Sequence, residues 1–216
     1  MCTLHMFPQC DKAEHVKSIR EESVMNSDGI SILCLIQDFR TGQYKASSRV
    51  QFMDTDDALW FINKSKADYY VVHLRAATSL GWGKYKHDEH SVTGCHMFTS
   101  KCGTWVYAHN GIIRGKKSEG YHVDSLVIGE YDLAYAEPED LDCNVLPYDF
   151  ANVLAYHIPT SSMMYHRCKQ GRLHMAYTKS GLVTIATHKL NDNYTLCPVG
   201  WRIANSLMGD TALALE

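Results

Sequence analysis

A recurring unit constrains this chain most: a short β-branched or aromatic run, a tight turn, and a second such run. Asn26-Ser-Asp28-Gly29 is a turn signal that leads into Ile30-Ser-Ile-Leu-Cys-Leu-Ile36. Arg40-Thr-Gly42-Gln turns the chain, and Tyr44 to Phe52 returns as a second strand. Leu173 to Tyr177 and Leu182 to Thr187 flank Lys179-Ser180-Gly181 in the same manner. Further strands are expected over Cys2 to Phe7, Asp68 to Leu74, Thr104 to His109 and around Tyr194 to Cys197. Asn110-Gly111 is read as the end of the Thr104 run, with Ile112-Ile113 continuing beyond it. Helices are fewer. Asp11 to Glu22 carries Val16 and Ile19 three apart. Asp54 caps a helix running through Asn63, with Ala58, Leu59 and Ile62 on its buried face. Tyr121 to Glu130 also reads as helical, and Asp149 to Tyr156 is a helix candidate. Segments 79–93 and 129–147 read as loops. With no repeat, low-complexity tract or clear linker, residues 1–216 are expected to form one domain. It is α+β: a mainly antiparallel sheet system covered by helices.

Charge narrows the function classes. The formal net charge is −3, and Lys and Arg cluster only in short pieces such as Arg114-Gly-Lys116-Lys117. That gives no electrostatic reason to expect nucleic acid or an anionic membrane as partner. The longest apolar runs, such as Ile30 to Ile36, are far short of a membrane span. No basic n-region with an apolar stretch opens the chain, so a cytoplasmic location is expected. The eight cysteines include no Cys-x-x-Cys pair, which fits free thiols in a reducing compartment. Cys34 and Cys197 lie in apolar surroundings and are expected to be buried thiols.

Cys2 is different from the other seven. If Met1 is removed, Cys2 carries a nucleophilic thiol and a free α-amine on one residue. Their unperturbed pKa values are about 8.5 and about 7.7–8.0, so the amine is a base able to take the thiol proton near neutral pH. A nucleophile with its own base needs no separate histidine.

Five pieces stand out beside it. They are Met1-Cys2, Asn26-x-Asp28-Gly29-Ile30, His73-x-Arg75-Ala-Ala-Thr78-x-x-Gly81, Cys95-His96-Met97-Phe98 and Ala108-His109-Asn110-Gly111. In this order they resemble the class II glutamine amidotransferase domain of the N-terminal-nucleophile (Ntn) hydrolase superfamily. Asp124-Ser125 matches the family's later acidic position, and Thr184 to Leu190 with Trp201 is similar to its later hairpin. Three positions depart from the pattern. Thr3 stands where Gly is common, Met97 replaces Pro, and Cys95 stands near an expected Asn.

The resemblance implies a four-layer αββα sandwich of two stacked, mainly antiparallel sheets. It implies glutaminase-type amide hydrolysis, with ammonia released from L-glutamine through a glutamyl thioester on Cys2. The ammonia would pass to an acceptor on a partner protein, a separate synthase subunit. Arg75 and Asp124 become the clamps for the substrate's α-carboxylate and α-amine. A guanidinium fork holding a carboxylate by two hydrogen bonds suits that role. Asn110 and the Gly111 N–H become the oxyanion hole, where glycine lets backbone approach a substrate closely. Thr78 and His96 are placed with the substrate-binding residues. The plain alternatives are a structural Arg–Asp pair and a tight Asn-Gly turn.

No cofactor is implied. His73, His96 and His109 fit no short ligand motif, so no metal is expected. Two other functions fit the same residues: a stand-alone γ-glutamyl or linear-amide hydrolase, which keeps Arg75 and Asp124, and a non-catalytic binding or regulatory descendant.

Overall fold

The computed structural model describes residues 2–76, 97–113, 124–142, 144–148 and 150–205. Thr78, Cys95 and His96, the whole of the 79–93 loop and the first turn of the expected 121–130 helix lie outside them.

The strands are β1 (Thr3–Pro8), β2 (Ile30–Gln37), β3 (Tyr44–Phe52), β4 (Tyr69–Leu74), β5 (Phe98–Thr99) and β6 (Trp105–Ile112). They continue with β7 (Phe150–His157), β8 (Ser162–Arg167), β9 (His174–Tyr177), β10 (Val183–Ala186), β11 (Thr195–Leu196) and β12 (Gly200–Asn205). One sheet runs β11-β9-β10-β1-β4-β2-β3 and the other β12-β8-β7-β6-β5. Each pairing among the described residues is antiparallel.

Side-chain alternation stacks the two sheets. Leu4 and Met6 of β1 and Val71 of β4 face Val106 and Ala108 of β6 and Leu154 of β7 in one buried cluster. The opposite face of the larger sheet presents Phe7, Ile32 and Tyr70 to the helices α1 (Lys12–Ser23) and α2 (Thr55–Lys64). Asp54 caps α2 as its sequence promised, accepting from the Asp57 N–H at 3.0 Å. The opposite face of the smaller sheet buries Trp105, Tyr107 and Trp201 under Val127, Ile128 and Leu141. Ile128 opens a π turn (Ile128–Asp132) that Val127 directly precedes, and Leu141 ends a short helix α3 (Pro138–Leu141). Helix, sheet, sheet and helical segment make the expected four layers. No helix among the described residues is long and apolar enough to cross a membrane.

Three expectations change. The candidate helix at 149–156 is strand β7, paired to both β6 and β8. Its Val153 and Ala155 face one core and Leu154 and Tyr156 the other, so continuous burial hid the two-residue period. Asn110-Gly111 does not end its strand: β6 runs through both to Ile112, with Asn110 opposite Asn152 and Gly111 opposite Ala151. The acidic stretch read as loop contains α3, opened by Pro138 after Glu137. Strands β5, β8 and β12 had no counterpart in the sequence reading.

Candidate active site

Strand β1 lies in the middle of its sheet, between β10 and β4. Leu4 and Met6 point between the sheets, and Cys2 precedes Thr3 at the strand's start. Thr3 is opposite Leu74, the last residue of β4. The next residues, Arg75 and Ala76, therefore lie beside Cys2. The Ala76 N–H donates to Cys2 Sγ at 3.3 Å, and Sγ lies 3.6 Å from the Ala76 carbonyl.

Arg75 is buried, and its backbone is tied at both ends. Its N–H donates to the Gly29 carbonyl at 2.8 Å, and its carbonyl accepts from Asp28 N–H at 3.1 Å. Asn26 completes this corner by donating to the Glu22 carbonyl at the end of α1, at 2.9 Å. The Asn26-x-Asp28-Gly29 piece thus fastens the start of β2 to the residue after β4. Gly29 has φ 125°, a conformation that glycine takes without steric penalty.

The facing sheet supplies the other half. Asn110 is buried on β6, and its side-chain oxygen has no hydrogen-bond partner among the described residues. Gly111 has φ 144°, and a Cβ built there would fall 1.5 Å from the Phe150 carbonyl oxygen. Only glycine fits. This is a requirement of packing inside a strand, so the tight-turn alternative for Asn110-Gly111 does not hold. Asp124 reaches the end of β6, where its carboxylate accepts from the Ile113 N–H at 2.7 Å. Ser125 Oγ is 2.9 Å from His109 Nδ1, joining the segment after Asp124 to the same strand.

Electrostatics show which of these groups are neighbours. Burial pushes the Cys2 thiol up; the Ala76 N–H draws it down, the Asp124 carboxylate adds to the rise, and the Arg75 guanidinium opposes it. The charges of residues 75 and 124 therefore both act on residue 2. Cys2 as a whole keeps partial exposure. His73, on β4 opposite Leu4, is held down at about 3 by burial, then by His109 and Arg75. His109 is also lowered by burial, with Asp124 acting the other way. A buried neutral imidazole on each sheet thus borders the Cys2–Arg75–Asp124 group.

Of the residues singled out in the sequence, Cys2, Arg75 and Asp124 come together, and Asn110 and Gly111 lie on β6, whose end Asp124 holds. Thr78 and His96 are outside the described residues. Met97, one of the departures, packs in the core between the sheets. Sequence reasoning missed the Ala76 N–H and the Ser125–His109 link. The second had a signal, since Ser125 follows Asp124 directly. The first had none, because a backbone donor carries no residue type.

No known protein-family profile matches the chain, and no curated protein does. A solved structure shares its architecture. The allosteric regulatory enzyme of purine biosynthesis superposes with a TM-score of 0.59 at 11% identity, over 95% of this chain and 47% of its own. A glutamine phosphoribosylpyrophosphate amidotransferase from B. subtilis, complexed with ADP and GMP, gives a TM-score of 0.46 at 12% identity, over 87% of this chain and 42% of its own. The chain spans less than half the length of either.

Proposed function

We propose that this chain hydrolyses the side-chain amide of L-glutamine, with Cys2 as an N-terminal nucleophile. The reading is carried by one observation: a thiol at the start of a central strand lies within electrostatic reach of a buried guanidinium and a carboxylate. Those two charges match the α-carboxylate and α-ammonium of an amino acid. The shared fold and the ordered motifs support the same reading.

In this scheme Met1 is removed, leaving the Cys2 α-amine free. The thiol proton passes to the amine through a water, and the Ala76 N–H steadies the thiolate. Burial makes that thiolate costly while the site is empty, so the base and the donor are both needed. Sγ attacks the amide carbon, and the oxygen takes the negative charge between the Asn110 side-chain amide and the Gly111 N–H. The tetrahedral species collapses, the C–N bond breaks, and the nitrogen leaves as ammonia with the proton from the α-ammonium. Water, deprotonated by the same amine, attacks the thioester, and glutamate leaves with the thiol restored.

The test is labelling by 6-diazo-5-oxo-norleucine, read by intact mass. Protein lacking Met1 is expected to gain one adduct on Cys2, and Cys2→Ala to gain none. Ammonia release from glutamine is expected to fall by several orders of magnitude in Cys2→Ala. Active protein that retains Met1, or full activity in Cys2→Ala, overturns the scheme. Comparing ammonia release from glutamine with amine release from γ-glutamyl amides identifies the substrate.

A further inference from the structure

Behind β1, away from the space between the sheets, lies a chain of buried polar groups that the proposed chemistry does not use. His5 is fully buried on the outer face of β1. Its Nε2 is 2.9 Å from Glu22 Oε2 on the last turn of α1, and its Nδ1 is 3.1 Å from His15 Nδ1. His15 Nε2 lies 2.7 Å from Thr184 Oγ1 on β10 and 3.0 Å from the Tyr194 hydroxyl. Ser18 donates to the other Glu22 oxygen at 2.7 Å. His15 also stacks on Phe7, with ring centroids 4.3 Å apart.

A carboxylate cannot donate, so His5 Nε2 carries the hydrogen toward Glu22. One of the two facing Nδ1 atoms donates to the other, and His15 Nε2 takes the complementary role toward Thr184 and Tyr194, whose hydroxyls both donate and accept. Every member of the chain is satisfied, as a buried polar network must be to contribute. Burial alone pushes the Glu22 carboxyl up. The hydrogen bond and charge of His5, with Ser18 and Thr3, overcome that and hold it at about 2. Thr3 lies on the same face of β1 as His5, and its buried Oγ1 makes no hydrogen bond among the described residues.

We infer that Glu22 is a positioning residue for Cys2: it grips His5 on the outer face of β1, two residues beyond Thr3, and so fixes where the strand delivers the thiol. Thr3 adjoins Cys2 directly, and β1 is only six residues long. Movement of its outer face is therefore transmitted to the thiol on its inner side. The inference takes Cys2 to be the reacting group, as proposed above.

The test measures Cys2 in two ways in wild-type protein and in Glu22→Ala and Glu22→Gln. Alkylation by N-ethylmaleimide, mapped by mass spectrometry, needs no glutamine recognition, and buried Cys34 and Cys197 report general loosening. Labelling by the diazo-oxo-norleucine analogue reports the aligned thiol. In Glu22→Ala, Cys2 alkylation is expected to rise about tenfold relative to Cys34 and Cys197, while the maximal analogue-labelling rate falls about tenfold with its half-saturation unchanged. Glu22→Gln keeps an acceptor for His5 and is expected to show a smaller shift of about threefold in each. If Glu22→Ala does not fold, Glu22→Gln and Tyr194→Phe carry the test, each with a shift of about threefold. Equal acceleration of all three cysteines, or an unchanged Cys2, overturns the inference. Wild-type protein that the analogue does not label overturns the glutaminase reading alone, and the alkylation arm still decides the role of Glu22.

Discussion

Two strands face each other across the site, both paired on either side, and they differ in the contact that least tolerates change. On β1 the work falls to side chains: Glu22 and His5 behind it, and Thr187 at its edge. On β6, beside the Asp124 and Ser125 side chains at its end, the contact that allows no substitution is one of backbone, with Gly111 at φ 144° against the Phe150 carbonyl. Side-chain anchors can be exchanged for others of similar shape; a backbone contact with no space for a Cβ cannot. Gly111→Ala is therefore expected to have the largest effect. It combines a disfavoured backbone conformation with a direct overlap on β7, and is expected to cost about 4 kcal/mol or more in urea unfolding. A loss under about 1 kcal/mol would mean that β6 and β7 separate easily, and the contrast between the strands would disappear.

Asn110→Ala separates stability from function on the same strand. The side-chain oxygen is buried without a hydrogen-bond partner among the described residues, so native stability gains little from it. Glutamine hydrolysis is expected to fall about 10²–10³-fold, or roughly 2.7–4 kcal/mol of transition-state stabilisation. Unfolding free energy is expected to stay within about 1 kcal/mol, the lost packing being offset by removal of an unsatisfied polar group. An equal loss in both measurements would make Asn110 a framework residue.

The contrast also explains what the sequence disclosed. β1, β2, β3 and β4 were readable because turn residues bound them and their apolar runs are short. The Asp54 cap announced α2 outright. Around β6 the local signals misled. Asn110-Gly111 has the composition of a turn, yet its glycine answers to a carbonyl on a strand more than 30 residues later in the chain. β7 is buried on both faces by residues that a helix also accepts. The site divides the same way. Cys2, Arg75, Asp124, Asn110 and Gly111 carry recognisable residue types in a recognisable order. The Ala76 N–H and the Glu22–His5 pair depend on contacts across 74 and 17 positions, and no local pattern encodes either.

Thr187→Val tests the side-chain half of the comparison. Thr187 Oγ1 accepts from the Leu4 N–H at 2.8 Å, and the Thr187 N–H donates to the Leu4 carbonyl at 2.9 Å. Valine keeps the shape and the second bond but leaves the Leu4 N–H buried without its acceptor. The expected cost is about 1–3 kcal/mol in urea unfolding, below that of Gly111→Ala. A larger loss would make β1 as intolerant of change as β6.

His73 connects the two strands: it pairs with Leu4 on β1 and feels His109 on β6. Burial, then His109 and Arg75, lower it from an ordinary 6.5 to about 3. The unfolded chain therefore takes up this proton first as pH falls. The contribution of neutral His73 is fully present above about 6.5 and is lost progressively toward about 3. Across that window the group adds about 1.4 kcal/mol per pH unit to the slope of unfolding free energy. Urea titrations between pH 6 and pH 4 are expected to show a slope shallower by about that amount in His73→Gln than in wild type. An unchanged slope would mean that His73 is already protonated in the native state, and that the space between β1 and β6 admits a charge.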